Sequence, residues 1–307
     1  MSGQGRKWEE KIADIKPIAR YPKTISEMVQ ERFETLTRAE RQLANSLLEN
    51  YPVSGLASIT SVAKKAKVST PTVARMVQKL GFKGFAEFQS VLRDELEAKI
   101  SNPIVKHDLW AENAPDTHIL NRFADSVVQN LHQTLAQLDP VKFDQVCKLL
   151  GDPKRSILIA GGRITRTLAD YLFCLMQMVR PRVTLAPSGT STWPDYLLDV
   201  GPGDVLVMFD IRRYENHIVM LAELAAEKGM EIVLFTDQWG SPAAKYAAHR
   251  FNCRIEAPSA WDSLAAMLVV IETMVAQIQA ASWRTTHGRM QDLETMFDQT
   301  RLFRRFK

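Results

Sequence analysis

Two parts of the chain hold residues whose types and spacing suit chemistry. The first is residues 58–81, SITSVAKKAKVSTPTVARMVQKLG. No acidic residue lies between Glu49 and Glu87, and the interval holds Lys64, Lys65, Lys67, Arg75, Lys79 and Lys83. A segment of one charge sign is an electrostatic footprint for a polyanion. Ser69 can cap a helix with its hydroxyl, and Pro71 falls in the first turn, where its missing N–H costs little. Such a helix start offers backbone N–H groups and the hydroxyls of Thr70 and Thr72 to phosphates. Arg75 lies about one turn further in, within reach of base edges in a major groove. Lys67, Lys79 and Lys83 suit phosphate contacts. The plainer alternative is a helical hairpin with a solvated basic face.

The second part is a set of loops in the C-terminal half. Gly161-Gly162-Arg163-Ile164-Thr165 follows a short apolar run and precedes a helical pattern. Its backbone N–H groups could cradle an anion, or the glycines could serve a tight turn. The run from Asp210 through Arg212, Arg213 and Tyr214 to Glu215 sets two carboxylates beside two guanidinium groups. A guanidinium matches phosphate or carboxylate with two hydrogen bonds. Arg212 and Arg213 therefore either hold an anion or pair with Asp210 and Glu215. Thr236, with Ser241 five residues on, forms a third polar loop. Glu215 and His217 could act as a general base, but no paired constellation accompanies them, and His217 reads equally as a surface residue. Trp193, Trp239 and Trp261 either wall a pocket or pack in a core.

The elements that must position these residues follow from periodicity. From Ile25 to about Ile100 the pattern is helical, with Thr37 and Glu40 as a capping-box pair. Val73, Met76, Val77 and Leu80 share one face of the helix opened by Ser69, and Gly81 ends it. Ala63 suits a helix crossing, and Val68 suits a short turn with one buried side chain. A second regime begins near residue 119. Apolar runs at 156–160, 182–186, 205–209, 232–236 and 250–255 alternate with helical patterns at 164–179, 215–228, 241–248 and 261–281. Five strands alternating with helices predict a parallel sheet covered on both faces, with ligands at the strand C-terminal ends. The fold class is thus an all-α helix-turn-helix head followed by an α/β domain. The expected divisions are an arm at 1–24, the head at 25–100, a linker at 101–118, the α/β domain at 119–282, and a helix or tail at 283–307.

The 307 residues suffice for two such cores, and 46% hydrophobic with 24% charged residues is ordinary for a soluble chain. No apolar run approaches the roughly 20 residues of a membrane span. The N-terminus lacks the apolar stretch of a signal peptide, so a cytoplasmic location is expected. Cys147, Cys174 and Cys253 show no metal-ligand spacing and are expected to be buried free thiols. No metal or cofactor is expected.

Residues from about 32 to 100 resemble the head of the RpiR/MurR family of bacterial regulators. The resemblance rests on Val68-Ser-Thr-Pro-Thr-Val-Ala-Arg75 and on Lys79-Leu-Gly-Phe-Lys-Gly-Phe-Ala-Glu-Phe88. Residues from about 120 to 282 resemble the SIS, or sugar-isomerase, domain that follows this head. The matching features are the order of elements, the strand in Gly203–Phe209, and the Thr236-Asp237 to Ser241-Pro242 loop. The resemblance implies a phosphosugar effector bound through Ser/Thr-rich loops. Here the second loop departs from the family's Ser-x-Ser-Gly-x-Thr, since Asp210–Glu215 replaces the hydroxyls with carboxylates and arginines.

These readings converge on a ligand-responsive regulator that binds a double-stranded DNA operator. Its effector is expected to be a small anionic metabolite, phosphosugar or carboxylate. The expected ligand contacts are Gly161, Gly162, Arg163, Thr165, Asp210, Arg212, Arg213, Thr236 and Ser241. Few phosphate contacts per head imply a homodimer or homotetramer, with pairing surfaces on the helices near 119–138 and 261–281. The alternatives are an α/β domain that only oligomerises, or a sugar-phosphate isomerase-like enzyme with an accessory head.

Overall fold

The computed structural model describes residues 22–112 and 118–303; most of the arm expected at 1–24 and the end of the C-terminal tail lie outside them. The head is a cluster of five helices: α1 (Ile25–Arg32), α2 (Arg38–Leu48), α3 (Ile59–Lys65), α4 (Thr70–Lys79) and α5 (Phe85–Ile100). Reciprocal capping boxes start the first two, Thr24 with Glu27 and Thr37 with Glu40. Leu43, Leu47, Val62, Ala63, Val73, Met76, Val77, Leu80, Phe88 and Leu92 share one buried core. Gly81 leaves α4 with φ +103°, a conformation that an L side chain would strain.

The α/β half begins with α7 (Ile119–Gln137) and α8 (Pro140–Gly151), after α6 (Pro103–Glu112). It continues with β1 (Ile157–Gly161), α9 (Arg166–Val179), β2 (Val183–Leu185), β3 (Val205–Asp210), α10 (Asn216–Glu227), β4 (Glu231–Asp237), β5 (His249–Cys253), α11 (Ala265–Ala281) and α12 (Trp283–Thr300). The five strands form one parallel sheet in the order β2-β1-β3-β4-β5. Alternate strand residues point to opposite faces, so the sheet has two cores. Ile157, Ile159, Val207, Phe209, Phe235 and Phe251 pack under α8, α9 and α11, with the three phenylalanine rings stacked in sequence. Leu158, Met208, Leu206, Ile232 and Leu234 pack under α10 and the 3-10 segment Thr190–Leu197.

Several sequence expectations need correction. The segment expected as a linker is helical at α6, because Asn102 accepts from the amides of Ile104 and Val105 and starts a helix. The helix expected at 241–248 is a single 3-10 turn, Pro242–Lys245. The last predicted helix starts at Ala265 rather than 261, and most of its apolar residues pack on the sheet core. Cys147 and Cys253 are buried, but Cys174 is exposed on α9. Trp193 and Trp239 are core residues, whereas Trp261 is 54% exposed.

Head and α/β domain meet through buried polar contacts. Arg254, beyond β5, pairs with Glu27 of α1, and both side chains are almost completely buried. Gln137 of α7 donates to the same carboxylate at 2.7 Å. Lys99, at the end of α5, donates to the carbonyls of Tyr51 and Gly240, both at 3.0 Å, and lies over the Tyr214 ring. The head thus rests on the end of the sheet where the strands finish.

Candidate functional site: a basic helix and a shared cavity

Ser69 caps α4 by accepting from the amide of Thr72, and the two hydroxyls lie 2.8 Å apart. Lys67, Ser69, Pro71, Arg75, Lys79 and Lys83 are exposed, while Thr70 and Thr72 are half-buried. Arg75 touches only its own helix, through Nε to the Pro71 carbonyl at 3.3 Å, so its guanidinium is presented outward. Lys79 departs from its expected role. Its ammonium lies 2.7 Å from Glu40, a buried carboxylate at the start of α2. That carboxyl is shifted below its usual range: burial pushes it up, but the Lys79 and Thr37 hydrogen bonds outweigh burial. Lys79 is therefore a brace between two helices. Lys67 takes φ +53° in the turn between α3 and α4, which makes it the pivot of that turn.

The second site is a cavity of about 750 Å³ at the strand ends. Arg163, Thr165, Asp210, Arg212 and Arg213 reach its wall, as the sequence led us to expect. Gly161, Gly162, Thr236 and Ser241 do not line it, and each is buried behind the wall in a structural role. A Cβ on Gly161 would stand 2.7 Å from the Thr165 carbonyl, so only glycine fits that close approach. The Thr236 hydroxyl accepts from the Ser241 amide at 2.9 Å. Ser241 in turn donates to Asp210 through a short hydrogen bond.

The glycine loop already holds a carboxylate. Glu215 Oε1 accepts from the Arg163 amide at 2.5 Å and lies 2.6 Å from where a Gly162 Cβ would be. Asp210 faces it, accepting from the Glu215 amide at 3.3 Å. Burial pushes the Asp210 carboxyl up to about 7, with Asp237 and Glu215 adding to the rise against the Ser241 and Glu215 hydrogen bonds. Burial likewise raises Asp237, although Tyr214 donates to it at 2.7 Å and the Arg212 amide at 2.6 Å.

Arg212 pairs with neither of the carboxylates beside it in sequence. Its guanidinium grips Asp262 as a fork, Nε to Oδ2 at 2.9 Å and the second nitrogen to Oδ1, and it stacks over Trp239. The third nitrogen donates to the Ala98 carbonyl of α5 at 2.9 Å. Asp262 wins because a fork of this geometry is bidentate, whereas Asp210 and Glu215 are already occupied. Lys106 of α6 donates to the same Asp262 Oδ1 and to the Trp261 carbonyl. Arg163 and Arg213 are exposed at the cavity and make no ion pair among the described residues. His217 is exposed and off the cavity wall.

Sequence reasoning missed Asp262, Lys106, Ser101 and Asn102, all of which line this cavity, as does Trp261, which it had left open between pocket wall and core. One signal was available. In a parallel sheet every strand ends on the same side, so the loop after β5 belongs with the loops after β1 and β3.

Comparison with known proteins agrees with both halves. Residues 23–99 match the helix-turn-helix domain of the rpiR family, and residues 150–277 match the SIS domain. The transcriptional regulator HexR of Pseudomonas aeruginosa is 24% identical over 224 residues, 73% of this chain and 76% of that protein. The structure of Vibrio vulnificus NanR complexed with ManNAc-6P covers 90% of this chain and 98% of its own at 15% identity, with a TM-score of 0.53. The sugar isomerase domain of an RpiR transcription factor from Sphaerobacter thermophilus covers 57% of this chain and 97% of its own at 21% identity, with a TM-score of 0.52. With that head joined to that α/β domain, the chain belongs to the RpiR family of helix-turn-helix transcriptional regulators.

Proposed function

We propose that the chain regulates transcription in response to a small anionic metabolite bound in the cavity at the strand ends. The head reads an operator with α4: Arg75 contacts a base edge, while Ser69, Thr70, Thr72, Lys67 and Lys83 meet phosphates. The effector is a phosphosugar or a sugar acid, held at the cavity mouth by Arg163 and Arg213. The observation that carries this reading is that the cavity is walled jointly by the α/β domain and by the segment that leads to the head. Ser101, Asn102 and Lys106 of the α5–α6 connection share it with the loops after β1, β3 and β5. A ligand there contacts the element that leads to the head, and so can favour one head arrangement over another. NanR, of the same overall fold, was solved with a phosphorylated N-acetyl sugar, which supports an anionic ligand.

The regulator acts as a dimer or tetramer, since one small head makes few phosphate contacts. Ile119, Leu120, Val128 and Leu135 on α7 are large exposed apolar residues suited to pairing.

The test is a thermal-shift screen of the full chain against phosphosugars, sugar acids and neutral sugars. A true ligand raises the melting temperature by mass action. The expected hits are anionic, change the affinity for operator DNA, and lose most of their effect in Arg213→Ala. Hits confined to neutral sugars would overturn the anionic effector, and the absence of any hit would leave the α/β domain a pure assembly module.

A further inference from the structure

Asp262 has two cationic partners drawn from different parts of the chain. Arg212 belongs to the loop after β3, and Lys106 belongs to α6, which follows the last helix of the head. The Arg212 side chain is 4% exposed, yet the residue lines the cavity. Burial lowers the Lys106 ammonium, and Asp262 offsets only part of that effect. The Asp262 carboxyl itself lies below its usual range, because Arg212 and Lys106 outweigh its burial. Asp262 sits between β5 and α11 in a segment without regular structure. The glycine loop, another place where an anion could settle, is filled by Glu215.

We infer that Asp262 is a built-in counter-anion, and that the carboxylate or phosphate of an effector displaces it from Arg212, altering the tie that Lys106 makes between the sensor and the connector. This inference rests on the anionic-effector reading above. It adds a contact for the anion, Arg212 behind Arg163 and Arg213 at the mouth, and how the head is informed. A buried guanidinium needs an anionic partner, so one carboxylate can leave only if another oxyanion arrives. Exchange therefore moves little charge, but it changes which part of the chain holds α6. Asp262 Oδ1 is shared between the two cations, so its withdrawal from Arg212 also shifts the anchor of Lys106.

The experiment uses the full chain and inorganic phosphate as the probe, with chloride at equal ionic strength as the control. In Asp262→Asn the two cations lose their internal anion. Phosphate should then raise the melting temperature by several degrees more than in wild type, and Arg212→Ala/Asp262→Asn should lose that gain. Hydrogen exchange across residues 103–112 should speed up at least about threefold in Asp262→Asn, as the connector loses its anchor. Lys106→Met, which keeps the Arg212–Asp262 pair, should speed the same amides without the gain in phosphate response. It keeps the test open if Asp262→Asn does not fold. Equal phosphate shifts in wild type and Asp262→Asn, or a gain that survives loss of Arg212, would overturn the inference. If the metabolite screen still gives anionic hits, the effector reading stands without it. Unchanged exchange at 103–112 in Lys106→Met would overturn the connector tie.

Discussion

The basic helix α4 and the cavity at the strand ends use charge in opposite ways. On α4, Arg75 and its neighbours are exposed and largely unspent on the protein itself. In the cavity the buried groups are held within the protein, Arg212 and Lys106 by Asp262 and Glu215 by the Arg163 amide, while the Arg163 and Arg213 side chains stay exposed at the mouth. An exposed unpaired cation costs little in water and is available to a polyanion. A buried one must be paired. A surface that waits for a partner can therefore be built from one short segment. A site inside the molecule must recruit its partners from distant segments, and under the proposed exchange a ligand enters by replacing one of them.

That contrast is broken most directly at the junction between the halves. Arg254→Ala leaves the Glu27 carboxylate buried with the Thr24 amide and Gln137 as its remaining partners among the described residues. Removing one member of a buried pair costs about 3–5 kcal/mol. We expect a large loss of stability in chemical denaturation, with unfolding of the head separating from that of the α/β domain. A loss below about 1 kcal/mol would mean that the pair is as weak as a surface ion pair, and the contrast would fail at its strongest point.

The exposed side of the comparison is tested by Arg75→Ala. With no folded-state partner except its own helix, Arg75 should be silent in stability but cost about 1–3 kcal/mol at the operator and relax preference at one base position. Lys79→Ala, by contrast, should act mainly through stability, because Lys79 is spent on Glu40. Competition gel shifts with operator and random duplexes, paired with melting curves, separate the two. Unchanged operator affinity in Arg75→Ala would move the reading surface elsewhere.

The same contrast explains what could be read without coordinates. The head is a local object: the Thr37–Glu40 box, the Ser69 cap, the inward face from Val73 to Leu80 and Gly81 all lie within a few residues of what they act on. The five strands were legible for the same reason, to within one or two residues at most ends. The cavity was not, because its decisive pairs join residues 50 and 156 positions apart, Arg212 with Asp262 and Lys106 with Asp262. Neighbourhood in sequence suggested Asp210 and Glu215 as partners for Arg212. Both carboxylates were already held by backbone amides and Ser241. Lys79 misled in the other direction, since its partner Glu40 lies two helices away.

The smallest expected effect sharpens the comparison at the base of the head, where a carboxyl is buried like those of the sensor. Glu95 on α5 accepts from the Ile25 amide at 2.8 Å and from the Tyr51 hydroxyl through a short hydrogen bond. Burial pushes it up from 4.5 to about 7, against those hydrogen bonds, and the charge of Glu27 adds to the rise. Below the unfolded value, both states hold the proton and Glu95 costs nothing. As pH rises from about 4.5 towards about 7, the unfolded chain releases its proton first, so the folded state loses stability through that window and no more above it. Asp210, raised to about 7 in the same direction, contributes a similar slope from the sensor. Glu95→Gln keeps an oxygen for the Ile25 amide and removes only the head's share. Denaturation of wild type and variant at about pH 5 and about pH 8 should show the variant gaining about 1 kcal/mol relative to wild type at the higher value, after the weakened Tyr51 contact is counted. Identical slopes would place Glu95 with the solvated charges of α4, while a slope abolished altogether would mean that Asp210 contributes nothing.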